Sequence, residues 1–126
     1  MTRYVLTVNL KDDTSIEIYR RYHQRVWPEV LHSLRDVGVE RMDIHILGRL
    51  LVMFVELNDG LDFRRAFAVH MASSPRVAEW ENLMKSLQEP SSHAPAGDWW
   101  TMMEPVFRFE DQELAIARIV QRSATS

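Results

Sequence analysis

Three side chains near the N-terminus have the types and spacing for proton chemistry on a sugar. Tyr19, His23 and Trp27 fall at i, i+4 and i+8 in the run YRRYHQRVWPEV, residues 19–30, and at helical pitch that spacing stacks them up one side of a helix. A histidine near its ordinary pKa gives or takes a proton at neutral pH. Aromatic rings beside it offer flat apolar faces on which the C–H face of a sugar stacks. The same spacing also describes a buried helix face whose histidine is satisfied by a neighbour, and spacing alone does not separate the two. Asp43 and His45 share one face of an expected strand, and with His23 they make a two-histidine, one-carboxylate set of a type that holds metals. No metal-spacing motif such as His-Glu-x-x-His accompanies them, so a polar strand face or a sugar-binding pair is the expectation, with His45 a candidate second proton carrier and no metal.

These residues need elements to hold them. Arg3 to Leu10 alternates, with Tyr4, Leu6, Val8 and Leu10 on one face, and predicts a strand. The run DDTS follows, and Glu17 three residues after Thr14 suggests a capping box. Ile16, Tyr19, Tyr22, His23, Val26 and Trp27 then recur at helical spacing. Pro28 lacks an N–H and clashes with the carbonyl four residues back, so the helix kinks or restarts there, and Val30, Leu31 and Leu34 carry the stripe on to a cap at Gly38. Arg41–Leu47 and Leu50–Leu57 read as a hairpin through Gly48-Arg49, the second strand apolar on both faces. Helices are predicted over Leu61–Ala72, where Phe63 and Phe67 face the core, and over Arg76–Leu87 after the break at Pro75. Glu89–Asp98 reads as a loop, Met102–Phe109 as a strand and Asp111–Gln121 as a final, weakly amphipathic helix with a thin stripe of Leu114, Ala117 and Val120. His70 and His93 are expected at the surface, and Trp99-Trp100 in packing rather than at a pocket rim or dimer contact.

The order is β-α-β-β-α-β with a helical tail, the α+β pattern of ferredoxin-like folds. Residues 1–126 form one domain by length, with a core over 1–109 and an extension over 110–126. Helices on one sheet face leave the other uncovered, and a second copy of the chain is the expected cover, giving a homodimer with a ligand pocket between sheet and helix. Hydrophobic residues make up 46%, charged residues 26%, and the formal net charge is -3, so no basic field attracts nucleic acid or anionic lipid. The absence of cysteine rules out disulfides and thiolate chemistry and suits a reducing cytoplasm. No apolar run approaches a membrane span, and the N-terminal residues lack a signal pattern.

The stretch YRRYHQRVWPEV resembles the first helix of the L-rhamnose mutarotase family, with its Tyr-x-x-x-His-x-x-x-Trp-Pro-Glu pattern after the first strand. The resemblance runs on through Gly38, the strand LLVMFVE, Trp80, Glu104 and Val106-Phe107, and covers residues 4–109. It implies a dimeric ferredoxin-like α/β barrel that interconverts the α and β anomers of a 6-deoxyhexose without metal or organic cofactor. It also implies that His23 is the acid/base group and that Tyr19 and Trp80 contact the sugar, with Trp27, Met42, His45, Glu81 and Glu104 completing the expected binding set. Where rhamnose enzymes carry a second tryptophan, this chain has Glu81; where they carry a sugar-contacting tyrosine on the second strand, it has Met42. A site built for one hydrogen-bond pattern rejects a sugar that leaves its groups unpaired, so the two departures should change which hydroxyls are read; L-fucose, which similar proteins in the wider family handle, is favoured over L-rhamnose. The second proton carrier stays open among Tyr19, His45, Asp43, Glu56, Glu81 and Glu104. Because fold does not fix function, a cofactor-free monooxygenase and a haem- or ligand-binding module, with His23, His45 or His70 as axial ligand, are the alternatives.

Overall fold

The computed structural model describes residues 2–125, with side chains through Arg122. Strand β1 (Thr2–Leu10) is followed by α1 (Thr14–His23), α2 (Pro28–Asp36), β2 (Val39–Leu47), β3 (Leu50–Leu57), α3 (Phe63–Met71), α4 (Pro75–Leu87), β4 (Gln88–Glu89), β5 (Thr101–Met102) and α5 (Phe109–Thr125). The sheet runs β2-β3-β1-β4, with β5 also on β1 and every pairing antiparallel. This is the ferredoxin-like arrangement expected from the element order. Among the described residues no helix is long and apolar enough to cross a membrane.

Alternation decides the layers. Leu6, Val8 and Leu10 on β1 and Leu51, Met53, Val55 and Leu57 on β3 point to one face and are buried, as the two-residue period of a strand requires. Trp80, Val77, Met84 and Leu87 of α4, Val30 of α2 and Tyr19 of α1 pack with Val8, Leu10 and Leu51, while Phe63 and Ala66 of α3 pack with Leu6, Met53, Val55 and Leu57. Val5, Thr7, Val52 and Phe54 lie on the opposite face, only partly buried.

The proline does more than kink its helix. Helix α1 ends at His23, and α2 restarts with Pro28 as its first residue, where a missing N–H leaves no bond unmade. Trp27, held extended at φ -60°, ψ 136°, shows the restriction that a following proline imposes. The start of α1 is not a capping box. Asp12 supplies the side-chain acceptor there, its Oδ1 accepting the amide and hydroxyl of Ser15 at 2.8 and 2.6 Å.

The predicted last strand is the largest departure. Only Thr101 and Met102 pair, opposite Thr7 and Leu6, while Gln88 and Glu89 pair earlier on the same edge of β1. The fourth strand of the fold is thus two short pieces separated by residues 90–100. Residues 103–108 are irregular, and Phe109 opens α5 instead of closing a strand. Arg3 pairs with Glu110 and ties the start of α5 to β1; beyond it Leu114, Ile116, Ile119 and Val120 are exposed, a broader stripe than the one read from the sequence.

Gly38 follows the C-cap of α2 at φ 103°. The backbone there demands glycine, and a Cβ would also push aside Leu61 Cδ1, the free end of that side chain. Gly38→Ala is expected to lose about 1–3 kcal/mol of stability, read as a lower urea midpoint at unchanged slope. An unchanged midpoint would show that the turn relaxes freely.

Candidate functional site

A cleft of about 560 Å³ opens between the helices and the buried sheet face. Met42, Ile44 and Ile46 of β2 and Leu51 and Met53 of β3 form its apolar floor, and Tyr19, His23, Trp80, Glu81 and Met84 form the helical wall. Gln88 and Trp100 close one end. A smaller cleft of about 220 Å³, reaching Lys85 and Trp99, shares Phe67, Glu81, Gln88 and Trp100 with it. A mostly apolar concavity with a few convergent polar groups is the usual form of a small-molecule site.

The wall is organised around Trp80. Tyr22, His23 and Trp27 all meet its indole edge-on, with ring centroids 6.1, 5.4 and 5.1 Å away; edge-to-face contact suits the quadrupoles of such rings. The far side of Trp27 carries the Arg76 guanidinium, 3.5 Å from the ring centroid, a cation–π contact. Trp27 therefore lies behind the wall, outside the cleft lining, clamped between two side chains of α4. Trp80 itself is only 4% exposed and offers the cleft a narrow strip of ring.

His23 stands at the last turn of α1, its ring stacked on Tyr19 with centroids 4.0 Å apart. Its Nδ1 lies 2.9 Å from the Tyr19 carbonyl oxygen. A carbonyl only accepts, so Nδ1 carries the hydrogen and Nε2 is left as a free base toward the cleft. Burial holds the His23 pKa below its ordinary 6.5, opposed by the bond to Tyr19 and by the charge of Glu81. The imidazole is neutral at physiological pH. Burial pushes the Tyr19 phenol well above its ordinary value, with Gln88 pulling the other way and Glu81 adding to the rise, so Tyr19 keeps its proton and acts as a donor. Gln88 is positioned in turn by Trp99, whose Nε1–H it accepts at 2.8 Å.

Glu81 is the carboxylate of the wall, its side chain 13% exposed. One of its oxygens, Oε1, is 2.9 Å from Nε2 of His70. His70, expected at the surface, is fully buried. It sits on the inner side of α3, where Phe67 stacks near it, ring centroids 5.1 Å apart.

The expected residues divide cleanly. Tyr19, His23, Met42, Trp80 and Glu81 line one cleft. Trp27 backs it. His45 does not line it: Met42, Ile44 and Ile46 face the cleft, so Asp43 and His45 point to the other side of the sheet, and Asp43 pairs there with Arg41. They do not converge with His23. Glu56 alternates with buried Met53, Val55 and Leu57 in the same way and faces outward, and Glu104 is exposed in the irregular segment after β5. Of the candidate carboxylates only Glu81 reaches the cleft. Sequence reasoning passed over Gln88, placed Trp100 in packing rather than at the pocket rim, and put His70 at the surface; the structure puts the first two in the cleft lining and buries the third. For Trp100 the adjacent tryptophans were a signal; for His70, i+3 from Phe67 on an apolar face, the spacing was one.

The chain matches the family model of L-rhamnose mutarotase over residues 3–109. A Dictyostelium discoideum protein of the UPF0734 group is 34% identical over 108 residues, 82% of this chain and 86% of that protein. An L-fucose mutarotase of Xanthomonas campestris pv. campestris is 32% identical over 114 residues, 88% of this chain and 90% of that one. Among solved structures, an L-rhamnose mutarotase from Formosa agariphila superposes with a TM-score of 0.62 at 19% identity, covering 86% of this chain and 99% of its own.

The state of His23 is directly testable. Burial lowers its folded pKa, so in an NMR titration its ring protons are expected to move at a pH below 6.5. An unfolded chain takes up that proton first as pH falls. The stability that His23 contributes is therefore complete above 6.5 and is lost between that pH and the lower folded value. A midpoint above 6.5 would contradict the buried, neutral ring.

Proposed function

The chain belongs to the L-rhamnose mutarotase family, a family of sugar isomerases, and from that premise we propose that it exchanges the α and β anomers of L-fucose in preference to L-rhamnose, with His23 carrying the proton. The observation that carries this reading is the neutral His23, with Nδ1 tied to a backbone carbonyl and Nε2 left free in a cleft shared with Tyr19, Trp80 and Glu81.

Anomer exchange needs little machinery. Nε2 of His23 takes the proton of the anomeric hydroxyl, the C1–O5 bond breaks as the C1 carbonyl forms, and O5 leaves with the electron pair. The anomeric and ring oxygens share one carbon, so the same imidazolium reaches both and returns its proton to O5. The aldehyde turns over by rotation about C1–C2, and the reverse steps close the ring on the other face. No net proton enters or leaves. Glu81 favours the transient imidazolium, since its charge already raises the His23 pKa. The Tyr19 phenol is a donor for the developing oxyanion. General acid–base catalysis of this kind supplies about 10²–10⁴-fold, enough for a reaction that already proceeds in water.

The sugar preference rests on Glu81 and Met42. L-Fucose and L-rhamnose differ in configuration at C2 and C4, and a carboxylate accepts a hydroxyl where an aromatic face would only stack on carbon. The 32% identity to an L-fucose mutarotase supports the same choice. Residues 1–126 act as one domain, the extension over 110–126 an addition to it, and the absence of cysteine suits a cytoplasmic setting. The partly buried Val5, Val52 and Phe54 face is covered by a second copy of the chain.

Saturation-transfer NMR of anomeric exchange tests the activity. His23→Ala is expected to slow exchange about 10²–10⁴-fold while staying folded, and L-fucose is expected to exchange faster than L-rhamnose, D-galactose and D-ribose. A folded His23→Ala protein at the wild-type rate refutes the proton carrier; equal rates on L-fucose and L-rhamnose refute the sugar preference alone. For the assembly, light scattering is expected to return twice the chain mass, and Phe54→Glu the single mass. A wild-type monomer would refute the dimer.

A further inference from the structure

Two helices, α2 and α3, turn buried polar groups toward one carboxylate of α4. His70 of α3 is completely buried, and both ring nitrogens are engaged: Nε2 with Glu81 Oε1 at 2.9 Å and Nδ1 with Ser33 Oγ of α2 at 2.7 Å. Ser33, also buried, lies 2.9 Å from Ser73 Oγ just beyond α3. The anomer-exchange steps use none of these groups except Glu81, and a buried polar chain of this length is costly unless each member is satisfied.

We propose that His70 is a positioning residue for Glu81: its Nε2–H holds Oε1, leaving Oε2 to face the cleft, and Ser33 and Ser73 fix the ring tautomer that provides this N–H. The inference rests on the role given above to Glu81 as the charge beside His23.

The donor inventory supports it. An ionised carboxylate only accepts, so Nε2 must donate. In a neutral imidazole Nδ1 then accepts, and its partner is the Ser33 hydroxyl. Ser33 having given its hydrogen inward, its oxygen is free to accept from Ser73. The Ser73 hydroxyl also lies 2.7 Å from the His70 carbonyl, which with two lone pairs accepts the Ser73 amide at 3.1 Å as well, so its one hydrogen is shared between that carbonyl and Ser33 Oγ. With Nε2 donating to Glu81, the hydrogens of Ser33 and His70 both point toward the carboxylate. An exposed glutamate has three side-chain torsions to wander through; one anchored oxygen removes most of that freedom and fixes where the negative charge sits relative to His23. Ser33 is too buried to meet a substrate, so the Ser–His–Glu order acts as a support and not as a nucleophilic triad.

Four proteins test the idea by anomeric exchange on L-fucose at limiting and saturating sugar: His70→Phe, His70→Gln, Glu81→Gln, and the double variant that combines His70→Phe with Glu81→Gln. His70→Phe is expected to lower the saturated rate about tenfold, the worth of one charge-assisted hydrogen bond, with little change in the half-saturating concentration. His70→Gln, which offers an amide N–H at similar reach, is expected to restore the rate to within about threefold. The double variant is expected to match Glu81→Gln alone, as two groups acting through one interaction do. Additive losses in the double variant overturn the positioning role and leave that of Glu81 intact. Glu81→Gln at the wild-type rate instead overturns the role of Glu81 itself, and with it any catalytic purpose for His70. Ring ¹⁵N shifts of the wild-type protein give a reading that needs no variant to fold: hydrogen on Nε2 and none on Nδ1 of His70 supports the assignment, and the opposite tautomer overturns it.

Discussion

Edge-to-face packing around the Trp80 indole holds the working part of this molecule in one relation. Tyr22 and His23 come from the end of α1, Trp27 from the linker before Pro28, and all three close on one ring of α4. Aromatic pairs of this geometry add about 0.5–1.5 kcal/mol each beyond the area they bury. Their larger effect is angular, because a T-shaped contact tolerates little rotation. Arg76 clamps Trp27 from behind, so the break at Pro28 is a rigid bend. His23 thereby faces the sheet across the cleft while its backbone stays in the last turn of α1.

Two opposite electrostatic solutions meet in that wall. His23 is buried with one nitrogen satisfied and one free, and the low-dielectric setting keeps it neutral. Glu81 is part-buried with one oxygen tied inward to His70. Reversing either arrangement would spoil the pair. A solvated histidine would lose the strong coupling to a nearby charge, and a buried carboxylate with no internal donor would be costly to keep ionised. The apolar floor of Met42, Ile44, Ile46, Leu51 and Met53 serves both, since it excludes water from the space between them.

Much of the frame was legible from periodicity. The alternation of β1 and β3, the Gly48-Arg49 hairpin, the helix restart at Pro28 and the glycine at position 38 follow from rules that act over a few residues, and each is where those rules put it. The fourth strand was not legible. The run from Met102 to Phe109 is rich in β-formers, yet only Met102 among them pairs in the sheet, opposite Leu6; after it the chain leaves the β1 edge and Phe109 opens a helix whose Glu110 pairs with Arg3 of that edge. Strand propensity describes fit to a half-buried pleated surface and not a partner, so it could not tell that residues 103–108 would stay irregular. The Thr14–Glu17 box failed for a smaller reason: the helix starts one residue earlier than the box needs, so Thr14 already lies in its first turn and cannot cap it.

The sequence by itself determined which residues could neighbour one another along a helix or strand: Tyr19 over His23, Met42 opposite in phase to Asp43 and His45, Phe67 over His70. Those relations follow from 3.6- and 2-residue periods and do not depend on the rest of the chain. Tertiary structure decided which of the resulting faces met. It brought Glu81 of α4 to the same cleft as His23, turned Asp43, His45 and Glu56 to the far side of the sheet, and buried His70 against Ser33 and Ser73. These contacts join residues far apart along the chain, and their partners are selected by how α2, α3 and α4 pack on the sheet, which no local period encodes.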